Sequence, residues 1–352
     1  MKLWWIKKSV NINIAKLYKG CIYVLSDEAS QQLEDDSWKL PGKKSDFYQI
    51  FDFEELFNSW VPESGRRLLI LRSGGLGDIA ALSIYGHFAD KINLLTFNNY
   101  LPVTDLWSIQ PTIHDLNGPI FSGIDFIRLN YLRKNYGYLD VNDIIEKGLR
   151  KNWYEVFIEL INKPFSETYG RPYFKRIVFP TKKYEIDILI NNKATARMRS
   201  MNLKYLVEAI SKAAPHRKIF AFENQADGQE IDNVKFIEAK SVREYVDFIL
   251  NAKDVISIDS APVHIREGSR LPALALYFSF ASEARTKYYK YVRSVDLPAV
   301  CELQPCFLHG INPEDHCIMA NDKELYAPCA DRLFKGLVNK IADEVNNYLI
   351  NT

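Results

Sequence analysis

The 352-residue chain has no run of eighteen apolar residues, so nothing in it reads as a membrane-spanning helix. It lacks an excess of either charge, with 45 Lys+Arg against 44 Asp+Glu, so no global field recruits nucleic acid or an anionic membrane. It has no repeat at solenoid period and no low-complexity tract. Its opening MKLWWIKKSV is too short and too charged for a secretory signal, which makes the cytoplasm the expected compartment. Those residues interleave Trp4 and Trp5 with Lys2, Lys7 and Lys8, a pattern suited to peripheral contact with lipid headgroups or to base stacking. A basic edge strand gives the same pattern.

What is present is enough apolar material, 47% of residues, for two cores, and two domains are the expectation at this length. Residues 1–65 read as a β-rich extension, with VNINI and CIYVL as strands and DFEELFNSW as a helix. From Arg66 the pattern becomes strand (RLLILR), glycine turn, helix (GDIAALSIYGHFAD) and strand (INLLTF), the signature of a parallel sheet. Helical spacing covers Val141 to Lys163, with Ile144, Ile145, Leu149, Trp153, Val156, Phe157 and Leu160 on one face. A proline and charges within VFPTKKYE place a boundary near 182/183. Beyond it, strands IDILI, KIFAF, VKFIEA, DVISI and PALALYF alternate with helices, predicting a second doubly wound unit over 183–330. Residues 331–352 read as an amphipathic terminal helix.

Two stretches carry chemistry. In ILRSGGLGDIAAL, Gly74, Gly75 and Gly77 precede a helix start that holds Asp78. Gly75 to Ala80 formally fits the dinucleotide fingerprint, but the next strand ends on Asn98 and Asn99 where a ribose-binding acid belongs. A carboxylate at the turn would also repel a pyrophosphate. The alternatives are a carboxylate kept ionised by the helix terminus to accept a proton from a hydroxyl, or a plain helix-capping aspartate. In ISIDSAPVHIREGS an apolar strand delivers Asp259, Ser260 is placed as an N-cap, and Ala261-Pro262 open a helix whose amides favour an anion. His264 reaches that anion or packs between helix and sheet. KATARMRS supplies Lys193, Arg197 and Arg199 as candidate diphosphate ligands, and Glu223 closes a strand where ribose hydroxyls would be met.

The order of these features resembles the ADP-heptose:lipopolysaccharide heptosyltransferase family across roughly Arg66 to Leu349. The matching segments are the strand leading to Gly77-Asp78 and the later Asp259-Ser260-Ala261-Pro262-Val263-His264; Ala261 stands where the family has glycine. The resemblance implies an α/β GT-B fold, two Rossmann-like doubly wound domains facing across a cleft. It implies an acceptor domain over 66–182, a nucleotide-sugar domain over 183–330, and a C-terminal helix crossing back to the first domain. It further implies inverting transfer from a nucleotide-diphosphate sugar, with Asp78 as base and Arg197 or Arg199 on phosphate. No Asp-x-Asp triplet exists to hold a divalent ion, so catalysis is expected to need no metal or other cofactor. The acceptor could be a glycan, a protein or a hydroxylated nucleic-acid base, and a non-catalytic nucleotide-sugar binder is the alternative of another class.

Of five cysteines, Cys21 stands alone while Cys301, Cys306, Cys317 and Cys329 share one stretch with little periodicity. Four thiolates in a cytoplasmic chain suit a structural zinc or iron, although no tight C-x2-C knuckle is present; unpaired thiols are the other reading.

Overall fold

The computed structural model describes residues 2–12, 15–19, 21–25, 27–36, 42–52, 67–72, 74–115, 119–121, 137–141, 151–194, 199–225, 231–298 and 328–352. Contacts divide the chain into two compact units, the first formed by Met1–Ser73, Phe88–Leu101 and Ile109–Asn142, the second by Gly74–His87, Pro102–Ser108 and Asp143–Thr352.

The first unit opens with β1 (Lys2–Ile6), the paired β2 (Val10–Ile12) and β3 (Ala15–Leu17), β4 (Ile22–Leu25), helix α1 (Asp27–Asp36) and β5 (Tyr48–Asp52). β1 lies between β4 and β5, antiparallel to both, so the basic first strand is interior and not the edge its charges suggested. Trp4 is fully buried, with its ring 4.4 Å from Tyr48 and its Nε1 donating to Ser30 Oγ at 2.9 Å. Its indole is a core element, unavailable to lipid or base. The strands β6 (Arg67–Leu71), β7 (Lys91–Thr96), β8 (Thr112–Asp115) and β10 (Gly137–Asp140) form a parallel sheet ordered β10-β6-β7-β8, while β9 (Pro119–Phe121) joins β4. Leu68 to Leu71 are all buried, as a strand covered on both faces requires.

In the second unit, α2 (Leu76–Leu82) passes into a 3₁₀ turn over Ser83–His87, so the long helix read there is half its expected length. After α3 (Leu101–Thr104), which straddles the division, comes α4 (Trp153–Leu160). The helix expected from Val141 does not begin there. Val141 follows β10 and donates its amide to Leu71 O, whereas α4 starts where Asn152 Oδ1 accepts from the Tyr154 amide at 2.9 Å. The intervening Ile144, Ile145 and Leu149 lie outside the described residues, as does the segment DFEELFNSW.

Then follow β11 (Ile186–Asn191), α5 (Leu203–Ala213), β12 (Ile219–Phe222), β13 (Val234–Ile237), α6 (Val242–Asn251), β14 (Ala252–Ile258), α7 (Ala261–Gly268), β15 (Ala273–Tyr277), α8 (Glu283–Thr286), β16 (Val292–Asp296) and α9 (Pro328–Asn351). The six strands form one parallel sheet ordered β13-β12-β11-β14-β15-β16. Succession runs outward from β11 through β12 to β13, then restarts at β14 on its other side. That reversal opens a crevice at the carboxyl ends of β11 and β14. Val338, Ile341, Val345 and Tyr348 of α9 join Leu206 and Ile210 of α5 and Ile188 and Ile256 of the sheet in one core. α7 is stapled over the sheet by adjacent charges. Buried Arg266 donates to the carbonyls of Ile249, Ala252, Lys253 and Pro272, and buried Glu267 accepts the amides of Lys290, Tyr291 and Val292.

Candidate functional site

The two sequence stretches, about 180 residues apart, meet inside the second unit, where α2 packs directly on α7. The contact is made possible by Gly77: a Cβ there would lie 2.7 Å from His264 Cδ2 and 3.3 Å from Ala261 Cα. Neither Gly75, with φ −71°, nor Gly77 has a left-handed backbone, so close helix approach, not a special turn conformation, is what excludes a side chain at 77. Asp78 follows on the first turn. Its Oδ2 accepts from the Gly75 amide at 2.9 Å, so the carboxylate caps its own helix and is oriented by doing so.

At the end of β14, Asp259 is buried and receives Arg199 Nη1 on Oδ2 at 2.8 Å and Tyr277 Oη on Oδ1 at 3.2 Å. Burial alone would raise its pKa. The Arg199 guanidinium, followed by Arg285 and His264, outweighs that and holds the carboxyl below its ordinary value. His264, also buried, lies with Nε2 3.9 Å from Asp259 Oδ1 and Nδ1 2.7 Å from Tyr289 Oη. Desolvation drives its pKa to about 4 against the opposing pull of Asp259 and Asp78, so it is neutral at pH 7. Ser260 occupies the N-cap position of α7 but its hydroxyl makes no cap bond; Oγ instead accepts from Asn191 Nδ2 at 2.6 Å, across the crevice.

Beside this group lies a cavity of about 560 Å³ lined by Leu76 of α2, by Asn191 and Lys193 after β11, and by Phe222, Glu223, Glu238, Lys240 and Tyr245. The Lys193 ammonium crosses it to Asn224 O at 2.6 Å. Apolar Phe222 and Tyr245, whose rings lie 4.8 Å apart, form one wall, and exposed Glu223 stands at the rim as an acceptor. This is the size and mix of a small-ligand pocket, with aromatic rings beside a carboxylate, a side-chain amide and an ammonium.

No family model matches the chain, and no curated protein matches it. Among solved structures it is similar to the iron-containing dodecameric glycosyltransferase TibC from enterotoxigenic E. coli H10407, at 11% identity and TM-score 0.56 over 86% of this chain and 78% of that one. It is likewise similar to dodecameric iron-containing heptosyltransferase TibC in complex with ADP-D-beta-D-heptose, at 12% identity and TM-score 0.54 over 86% and 82% of the two chains. The chain has a heptosyltransferase-like glycosyltransferase fold. At these identities the likeness is one of fold.

Asp78, Arg199, Asp259, Ser260, Ala261 and His264 thus gather at one place, with Glu223 on the adjoining cavity; Arg197 lies outside the described residues. So do Cys301, Cys306 and Cys317, while Cys329 is in the first turn of α9. Among the described residues no group of three or more His, Cys, Asp or Glu could hold a metal ion, and no helix is long and apolar enough to cross a membrane. Asn191, Tyr154 and Tyr289 went unread in the sequence. The pair Asn191-Asn192 closing an apolar strand was a usable signal for the first, since polar residues at the carboxyl end of a parallel strand face the crevice. The tyrosines carry no local mark.

Proposed function

We propose that the chain is an inverting glycosyltransferase of GT-B type, moving a sugar from a nucleotide-diphosphate sugar to an acceptor hydroxyl. The observation that carries this reading is the contact of α2 with α7 at Gly77, against Ala261 and His264, which brings a hydrogen-bonded carboxylate, Asp78, to the N-terminal turn of α7. The cavity at Glu223, Phe222 and Tyr245 takes the nucleoside, with ribose hydroxyls on Glu223. Lys193, Arg199 and the leading amides of α7 face the diphosphate. TibC, described with bound ADP-heptose, supports a nucleotide sugar as donor.

The reaction is a single displacement. Asp78 takes the hydroxyl proton as the acceptor oxygen bonds to the anomeric carbon, and the carbon–phosphate oxygen bond breaks, sending its electrons to the nucleoside diphosphate. The cationic side chains and helix amides stabilise that charge. His264, neutral, is a donor to phosphate. The acceptor stays at the level of a hydroxyl on a glycan, protein or nucleic-acid base, and domains meeting at 182/183 remain part of this reading.

Thermal shift against nucleoside diphosphates and sugar-bound forms, beginning with ADP and ADP-heptose, tests donor binding, because a ligand held only by the native state raises Tm. Asp78→Asn keeps a cap acceptor; turnover is expected to fall about 10²- to 10⁴-fold while ADP binding persists. Full turnover in that variant overturns the base assignment, and a wild type that binds donor yet releases no sugar favours the non-catalytic binder. The structural zinc or iron read at Cys301, Cys306, Cys317 and Cys329 rests on their sequence clustering and on TibC being described as iron-containing. Elemental analysis of the purified protein separates this from the reading as unpaired thiols: bound metal supports the site, and metal-free protein with all four of these thiols titratable removes it.

A further inference from the structure

We infer that a relay of two hydroxyls, Tyr154 to Tyr289, fixes His264 as the neutral tautomer protonated on Nε2, making this histidine a hydrogen-bond donor to the site and not a base. Tyr289 Oη lies 2.7 Å from His264 Nδ1 and 2.8 Å from Tyr154 Oη. Each phenol carries one proton. If Nδ1–H donates to Tyr289, one of the two phenolic protons has no acceptor among the described residues: that of Tyr154, whose ring is completely buried, when Tyr289 donates to it, or that of Tyr289 when its oxygen accepts from both neighbours. A buried donor left without a partner is disfavoured. In the other polarity Tyr154 donates to Tyr289, Tyr289 donates to Nδ1, and every phenolic proton is used.

A second, independent observation selects the same polarity. Nε2 faces Asp259 Oδ1 at 3.9 Å, and the Asp78 charge also bears on the ring. Ionised carboxylates accept and never donate, so an N–H on Nε2 is attracted where a lone pair is repelled. Both phenols are pushed far above the ordinary tyrosine range by burial, so neither relay proton is lost at neutral pH. The ring packs between Gly77 on α2 and Trp153, whose ring centroid lies 4.7 Å away.

The consequence rests on the transferase reading. The Nδ1 lone pair is occupied, and Nε2, 3.9 Å from Asp259 Oδ1, carries a proton not spent in a hydrogen bond to it; His264 therefore does not compete with Asp78 for the acceptor proton, and an entering phosphate oxygen receives the Nε2–H. Tyr154 and Tyr289 are therefore positioning residues, acting through His264.

The test is ¹⁵N spectroscopy of the full-length protein with labelled histidine at pH 7, with His264→Gln identifying the resonances. The wild type is expected to show a protonated Nε2 and an unprotonated, hydrogen-bonded Nδ1, and Tyr289→Phe to move the Nδ1 resonance to its unbonded position. A protonated Nδ1, an imidazolium, or an Nδ1 signal indifferent to Tyr289→Phe overturns the relay. Tyr289→Phe is also expected to weaken ADP binding about 3- to 10-fold, the scale of one hydrogen bond. Unchanged ADP affinity overturns the relay's part in ligand binding. A wild type that shows the Nε2–H tautomer but does not bind ADP strikes the donor reading alone.

Discussion

Replacing Gly77 by Ala adds one methyl at the tightest point of the α2–α7 contact. That methyl falls 2.7 Å from His264 Cδ2, about 1 Å inside an ordinary carbon–carbon contact of roughly 3.5–4.0 Å. The imidazole cannot swing away, because Nδ1 is bonded to Tyr289 and its face is against Trp153. On the other side stands the Ala261 backbone, 3.3 Å distant, in a helix stapled by Arg266 and Glu267. Overpacking of a fixed contact costs about 1–3 kcal/mol, near the upper end here, and the helix propensity gained from Gly to Ala returns at most about 1 kcal/mol. The net is a loss of about 1–2 kcal/mol, or roughly 3–6 °C in melting temperature for a unit of this size. Gly336 supplies the opposite sign: it is exposed in α9 and a Cβ there meets nothing within 4 Å, so Gly336→Ala is expected to stabilise by about 0.5–1 kcal/mol. Differential scanning calorimetry of both variants decides the matter. If Gly77→Ala melts at or above the wild type, the helices are not in the contact that brings Asp78 to His264, and the proposed site loses its basis.

Three further outcomes follow from the same geometry. His264 has a folded pKa of about 4 against an ordinary 6.5, so the unfolded chain binds the proton more readily; stability should rise with pH between those values and fall on acidification through them. His87, lowered to about 4 by burial and then by Arg171, titrates in the same window, so His264→Gln should flatten part of the slope of urea midpoints measured from pH 7 to pH 4.5, and an unaltered slope counts against a buried neutral His264. Arg199→Ala leaves the Asp259 carboxylate buried without its ion partner, and a destabilisation of about 2–4 kcal/mol is expected by chemical denaturation; wild-type stability would mean the pair is solvated. Tyr348→Phe removes a 3.0 Å bond to Asp254 that ties α9 to the sheet, for a loss of about 1 kcal/mol in the same assay, and no change would show that bond to be dispensable.

What could be read along the chain was whatever depends on near neighbours. Buried parallel strands announce themselves as unbroken apolar runs, so Arg67–Leu71, Ile186–Asn191 and Ala252–Ile258 were legible, as was the Asp259-Ser260 step from strand to helix. Helix lengths were less so: spacing alone ran the Asp78 helix through Ser83–His87 and started another at Val141, because apolar periodicity does not record where a backbone amide finds a strand partner. The basic opening strand was misplaced at an edge for a related reason: charges at its ends were visible, but not the two strands that flank it. The chemistry-bearing types, a carboxylate after glycines and a histidine after an acidic strand end, belonged to the sequence. Their encounter did not. Gly77 looks like a turn residue until the helix packed on it is known, and the Ser260 hydroxyl looks like a cap until Asn191 is found across the crevice. Nothing near Tyr154 or Tyr289 marks either as a partner of His264, since hydrogen-bond polarity is settled by which protons are left buried, and burial is a property of the folded whole.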